Sequence, residues 1–370
     1  MALKAVHVTD VPNLDLVPET TSLSYASSRL FPGSGEANKV VSYNVPKFAV
    51  VGHRGSGMNI LQSSDQRMKA IKENTIASFN SASVFPLDFV EFDVQVTKDD
   101  CPVVFHDNYV FTELDESVIG KRVTELSLDE FLSYGPQRDC NHKKKPLLRK
   151  TKDGKILSWD VETDDYLCTL QQVFEQVEPS LGFNIELKFD DHVVYHQDYL
   201  LRVLKSILQV VFDCAGERPI IFSSFQPDAA LLIRKLQKSY PVFFLTNGGN
   251  ETFPDKRMNS LDEAINLCLQ GDLQGIVSEV RGIFRNPEAV TIIKSSNLSL
   301  FTYGQLNNNS EAVFVQYLMG IDGVIVDLVK EITEKVKESI LTGHKVEGEA
   351  TFSQKELTFL LNLIPELIRH

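Results

Sequence analysis

Short apolar runs separated by longer amphipathic stretches set the rhythm of this chain. Phe48-Ala49-Val50-Val51, Phe89 to Val94, Gly182 to Leu187 and Pro219 to Ser223 have the length and the β-branched or aromatic character of strands. Pro241 to Thr246, Gly275 to Ser278, Ser299 to Tyr303 and Gly323 to Val326 continue the series. Between them lie segments with apolar residues at helical spacing. These are Asn74 to Val84, Thr169 to Val177, Leu200 to Phe212, Asp228 to Lys238, Leu261 to Leu269, Pro287 to Ser295 and Ser310 to Met319.

Eight apolar strands that alternate with helices imply parallel βα units. The pattern predicts an α/β fold, a closed TIM (β/α)8 barrel, with an open doubly wound sheet as runner-up. The span 47–335, less an insertion, approaches the roughly 250 residues usual for the barrel. Polar residues gather where strands end, which is where barrel sites lie, and this favours the barrel. After Asp107 the rhythm breaks, and residues 108–166 read as a small inserted subdomain following the second strand. Residues 1–46 mix Ser, Pro, Asn and Gly and read as an irregular arm. Residues 336–370 read as a helical tail, with Ser353 and Glu356 as a capping box before a Leu357, Leu360, Leu361, Ile364 stripe.

Composition narrows the function. The 370 residues carry 37 Lys+Arg against 50 Asp+Glu, a net charge of −13. That balance argues against nucleic acid or an anionic membrane surface as partner, while leaving room for a local cationic pocket. No run of about 18 apolar residues predicts a membrane span. The start has no signal-peptide pattern, and Asp10, Asp15 and Glu19 disfavour a plastid transit peptide. Five scattered cysteines without a CxxC pair fit a reducing compartment, so the expected location is cytoplasmic. Nothing in the pattern sets an oligomeric state.

Charged residues inside apolar strands are where the chemistry concentrates. On a strand, residues two apart share a side, so Glu91 and Asp93 project together, as do Glu186 and Lys188. Buried charges need a metal, an ion pair or water. Three carboxylates meeting at one barrel mouth form an all-oxygen site for Mg²⁺, Ca²⁺ or Mn²⁺, with ion pairing such as Glu186 to Lys188 as the structural alternative. His53 and His106 each follow a short apolar run, and two imidazoles across a site suit general acid and general base near neutral pH. Arg54 offers a planar fork and Lys188 a point charge for phosphate oxygens. A metal, an arginine and a lysine together suit a phosphodiester, whose transition state gathers negative charge. The other histidines read as surface residues, His192 and His196 among them, and no Walker-type phosphate loop is present.

His53-Arg54-Gly55, Glu73-Asn74-Thr75, Glu91-Phe92-Asp93, His106-Asp107 and Glu186-Leu187-Lys188 follow one another in an order that resembles the glycerophosphodiester phosphodiesterase family. Ser223-Ser224-Phe225 and the run Gly320 to Asp327 look like its later barrel strands. The resemblance covers about 48–335, and the arm and insertion look similar to the plant and eukaryotic cytosolic branch. It implies metal-dependent hydrolysis of glycerophosphodiesters, such as glycerophosphocholine, to sn-glycerol 3-phosphate and an alcohol. It also implies a Mg²⁺ or Ca²⁺ ion on Glu91, Asp93 and Glu186, His53 and His106 as the acid–base pair, and Arg54 and Lys188 on the phosphate. Glu73 is expected near the site, orienting Arg54 or His53. The family's tryptophan-bearing seventh strand reads Phe301-Thr302-Tyr303-Gly304 here, so Tyr303 is expected to supply the aromatic wall. The alternatives are a lysophospholipase D or cyclising phospholipase on the same site, and a non-catalytic phosphoester sensor.

Overall fold

The computed structural model describes residues 48–137 and 145–342. The N-terminal arm, Cys140, His142, Lys143, Lys144 and the Ser353–Glu356 capping box lie outside these residues. Eight parallel strands run in chain order: β1 Ala49–Gly52, β2 Phe89–Val96, β3 Gly182–Leu187, β4 Ile220–Ser224, β5 Val242–Thr246, β6 Gly275–Glu279, β7 Ser299–Tyr303 and β8 Gly323–Val326. Each pairs in parallel with the next, and β8 returns to β1 with Ala49 opposite Gly323, so the sheet closes. The closed (β/α)8 barrel expected from the alternation is the fold, and the open sheet is excluded.

The helices packed around it include α1 Ile76–Ala82, α2 Leu170–Gln176, α3 Gln197–Cys214, α4 Pro227–Leu236, α5 Leu261–Gly271, α6 Glu288–Ser295, α7 Ser310–Leu318 and α8 Val329–Thr342, with a short further helix Val280–Arg285 after β6. α3 shows why these segments take helical form. Leu200, Val203, Leu204, Ile207, Leu208 and Val211 form one buried stripe at i, i+3, i+4 spacing, which packs in the main core cluster with β3 and β4. α1 starts two residues later than the periodicity suggests. Thr75 caps it, accepting a hydrogen bond from the Ser78 amide, and Asn74 stands at φ +57°, which cannot extend a right-handed helix. α8 runs through residue 335, where the pattern put the end of the barrel domain. Among the described residues no helix is long and apolar enough to cross a membrane.

The barrel interior is filled. Ala49, Val51, Phe89, Ile221, Phe243, Leu245, Val277, Phe301 and Ile325 form one buried cluster. Phe243 and Phe301 meet edge to face, centroids 5.4 Å apart. Glycine on a neighbouring strand makes room for each ring. A Cβ on Gly275 would lie 2.8 Å from the Phe243 ring, and one on Gly323 would lie 3.0 Å from Phe301. With its floor packed, the barrel leaves only the C-terminal strand ends for polar chemistry.

Beyond β2 the chain doubles back. Residues Pro102–Val104 pair antiparallel with β2, Val94 opposite Val104, and set His106 beside the barrel mouth. A four-stranded antiparallel sheet follows, built from Tyr109–Leu114, Ser117–Arg122, Leu148–Lys150 and Ile156–Ser158. It shares a small core of its own, including Val110, Leu126, Phe131, Leu147 and Trp159, with Val103 and Phe105.

Candidate active site

Two adjacent strands, β2 and β3, bring the acidic residues together. Pairing of β2 with β3 sets Asp93 level with Glu186 and Glu91 level with Asn184. Ligand atoms of Glu91, Asp93 and Glu186 all lie within 4.8 Å of one another, and all three residues are buried. Glu91 Oε1 and Asp93 Oδ1 are buried without a hydrogen-bond partner. Burial, with Asp93 and Glu186 beside it, pushes the Glu91 carboxyl up to about 8. Burial also raises Glu186. Asp93 goes the other way, to about 2: burial opposes ionisation there, but His106, Arg54 and Lys188 outweigh it. Two orphaned oxygens within an all-carboxylate trio fit a hard divalent cation, which would satisfy them and end the like-charge repulsion.

Each imidazole is held by a carboxylate. His53, directly after β1, has its Nδ1 2.7 Å from Asp327 Oδ1, just beyond β8, and its Nε2 3.9 Å from Glu91 Oε2. His106 Nδ1 lies 2.8 Å from Asp107 Oδ1. Both rings are partly exposed, with Nδ1 taken and Nε2 left for chemistry. Their environments diverge. Burial alone would lower the His53 pKa, but the Asp327 carboxylate outweighs it and holds the ring above its ordinary value. Burial, then Arg54 and Lys188, hold His106 well below its ordinary value. The two environments pull the pair apart, favouring the protonated form at His53 and the neutral form at His106.

Arg54 is bound on several sides. Its amide donates to Glu91 Oε2 at 3.0 Å, its Nη1 to Glu73 Oε1 at 2.7 Å, and its Nε lies 3.4 Å from Asp93 Oδ2. Its backbone stands at φ +50°, left-handed for a non-glycine residue, a strain of about 1–3 kcal/mol that functional positions often hold. Hydrogen bonds from the Asn74 amide and Ser78 Oγ to the Arg54 carbonyl, each 3.0 Å, retain that turn. Lys188 reaches Glu186 Oε1 at 2.9 Å and Asp93 Oδ1 at 3.6 Å. Tyr303 stands edge-on to Phe225, centroids 5.9 Å apart, and donates to Asn247 Oδ1 at 2.5 Å.

Every site residue expected from the sequence therefore reaches this one mouth. Glu73 holds Arg54 and not His53, whose partner is Asp327. Burial opposes ionisation of Glu73, but Arg149 and Arg54 outweigh it and bring its carboxyl down to about 2. Asp327, Asn74 and Arg149 join the site without a role expected from the sequence. Asp327 was legible in principle, two residues past the inward-facing Ile325, and Asn308 Nδ2 donates to its second oxygen at 2.8 Å. Asn74 Nδ2 donates to Asp93 Oδ2 at 2.8 Å. Arg149 lies 42 residues from Asp107, on a strand of the insertion, without any local signal. His192 and His196 are exposed, and among the described residues only the carboxylate trio has metal-site geometry.

A packed (β/α)8 barrel with this donor set at its strand ends has the equipment of a phosphodiester hydrolase. The sequence model of the glycerophosphoryl diester phosphodiesterase family matches residues 53–331. A chloroplastic glycerophosphodiester phosphodiesterase of Arabidopsis thaliana is 59% identical over 375 residues, 100% of both chains. A glycerophosphocholine phosphodiesterase of Eremothecium gossypii is 31% identical over 76% of this chain and 25% of its own length. Among solved structures, an Oleispira antarctica phosphodiesterase in complex with the product sn-glycerol-3-phosphate superposes with a TM-score of 0.55. It is 19% identical and covers 79% of this chain and 97% of that one, a likeness of fold. The chain belongs to the glycerophosphodiester phosphodiesterase family.

Proposed function

We propose that this site hydrolyses glycerophosphodiesters, glycerophosphocholine among them, to sn-glycerol 3-phosphate and an alcohol by metal-assisted acid–base chemistry. Family membership sets the reaction class; the residue roles are our reading of the geometry. The observation that carries them is the closed trio Glu91, Asp93 and Glu186 facing two imidazoles whose Nδ1 atoms are already taken. Glu91, Asp93 and Glu186 would hold a divalent cation, Mg²⁺ or Ca²⁺, which supplies positive charge to the phosphate oxygens when bound. Arg54 and Lys188 stand beside the trio and take phosphate oxygens. One imidazole accepts the proton of the attacking hydroxyl and the other donates a proton to the oxygen of the leaving alcohol. The attacking hydroxyl is water, giving glycerol 3-phosphate directly, or the substrate's own 2-hydroxyl, giving a cyclic phosphate first. Tyr303 and Phe225 form the aromatic wall at the mouth.

The test is product analysis with purified protein, glycerophosphocholine and Mg²⁺ or Ca²⁺. Release of glycerol 3-phosphate and choline in equal amounts is expected. Cleavage of long-chain lysophosphatidylcholine with glycerophosphocholine left intact would overturn the assignment. A cyclic phosphate trapped in a single turnover selects the second route.

We propose a cytoplasmic location because five scattered cysteines without a CxxC pair fit a reducing compartment, whereas the Arabidopsis relative is named chloroplastic. Imaging a C-terminal fluorescent fusion decides between them, and signal confined to plastids would refute the cytoplasmic placement.

A further inference from the structure

Arg149 differs from the other charged residues of the site: it comes from the insertion, on the strand Leu148–Lys150, and not from a barrel strand. Its guanidinium is buried against the outer carboxylates. Nε and Nη2 donate to the two oxygens of Asp107, each at 3.0 Å. Nη1 and Nη2 donate to the two oxygens of Glu73, again at 3.0 Å each. Nη1 also donates to the Asn59 carbonyl at 3.2 Å. The guanidinium plane lies over Trp159, 4.2 Å from the ring centroid, and the indole Nε1 donates to Asn59 Oδ1 at 3.0 Å.

All five guanidinium N–H groups are engaged in these bonds, so none is left for a substrate phosphate. Each of the two carboxylates it holds also touches a residue of the site. Asp107 holds Nδ1 of His106 at 2.8 Å, and Glu73 holds Nη1 of Arg54 at 2.7 Å. The contacts form one chain, His106–Asp107–Arg149–Glu73–Arg54, from the acid–base ring to the phosphate-binding arginine. We infer that Arg149 is a positioning residue that fixes His106 and Arg54 relative to each other, so that the inserted subdomain completes the active site. The inference rests on the hydrolytic reading above. A lysine cannot take its place, because one ammonium cannot fork to two carboxylates in fixed geometry.

The experiment compares wild type, Arg149→Met, Arg149→Lys, Asp107→Asn and the Arg149→Met/Asp107→Asn pair on glycerophosphocholine with Mg²⁺ or Ca²⁺. Arg149→Met is expected to lower kcat about 10²-fold, as small misplacements of catalytic groups do, with KM changed only about threefold. Arg149→Lys is expected to recover little of that loss. The double variant should fall about tenfold short of the product of the two single losses, because part of the route through Asp107 is already cut. A residue that only supports the fold would give multiplicative losses. Trp159, the one tryptophan of the chain, should change its emission in the Arg149 variants, while circular dichroism and melting show that they remain folded. If Arg149→Met does not fold, Arg149→Lys and its pair with Asp107→Asn carry the same comparison. Wild-type kcat in a folded Arg149 variant, or fully multiplicative losses, overturns the inference alone. A wild-type protein without turnover overturns the hydrolytic reading and the inference with it.

Discussion

Replacing His106 with alanine is expected to lower kcat by about 10²–10⁴-fold, and His53→Ala by a loss in the same range. The physical reason is that each ring offers Nε2 as its only unoccupied proton-transfer atom, since Asp107 and Asp327 take the Nδ1 atoms. Alanine removes that atom and leaves the barrel core untouched, because neither ring belongs to an apolar cluster. The loss should therefore fall on turnover, with melting temperature nearly unchanged. Steady-state kinetics of the two variants beside wild type, with a thermal melt of each, checks this. Near-normal turnover in both would remove His53 and His106 from the mechanism.

Chelation is the second large effect. Treatment with EDTA is expected to abolish release of glycerol 3-phosphate, and Mg²⁺ or Ca²⁺ to restore it. Glu91, Asp93 and Glu186 repel one another at close range, and two of their buried oxygens lack hydrogen bonds. A bound cation relieves both conditions, so binding is coupled to stability. Metal at about 100 times its dissociation constant adds about 2.7 kcal/mol to the folded state. The added ion should thus raise the melting temperature of wild type independently of any activity. Asp93→Asn removes one charge from the trio and is expected to lose both the rescue and the thermal shift. Full activity in EDTA, with no shift on adding any of these ions, would leave the trio without a metal role.

Much of the fold could be read from the chain because barrel strands are short, apolar and buried on both faces. β7 and β8 start and end where the pattern puts them, at Ser299–Tyr303 and Gly323–Val326. Carboxylates within such runs stand out, which is why Glu91, Asp93 and Glu186 were legible, and period-two geometry placed Glu91 and Asp93 on one side. The insertion was legible only as a break in rhythm. Its strands pair mostly as local hairpins, Leu114 opposite Ser117 and Lys150 opposite Ile156, but they are short and largely exposed, so no apolar run marks them. The small core around Trp159 gathers residues from distant positions. The left-handed turns at Arg54 and Asn74 were equally hidden, since neither residue requires them and only the surrounding hydrogen bonds hold them.

By itself, then, the sequence determined the eight-fold strand and helix alternation, the acidic and basic residues interrupting the strands, and the two histidines at strand ends. These are local properties: burial demands, side-chain period and residue chemistry act within a few positions. Tertiary structure decided the long-range partners. Asp327 meets His53 across the seam where β8 closes on β1, a contact spanning 274 residues. Arg149 meets Asp107 and Glu73 because the insertion folds back over the mouth. Such contacts form between segments brought together by chain closure and packing, and no periodicity along the chain encodes which charge will face which.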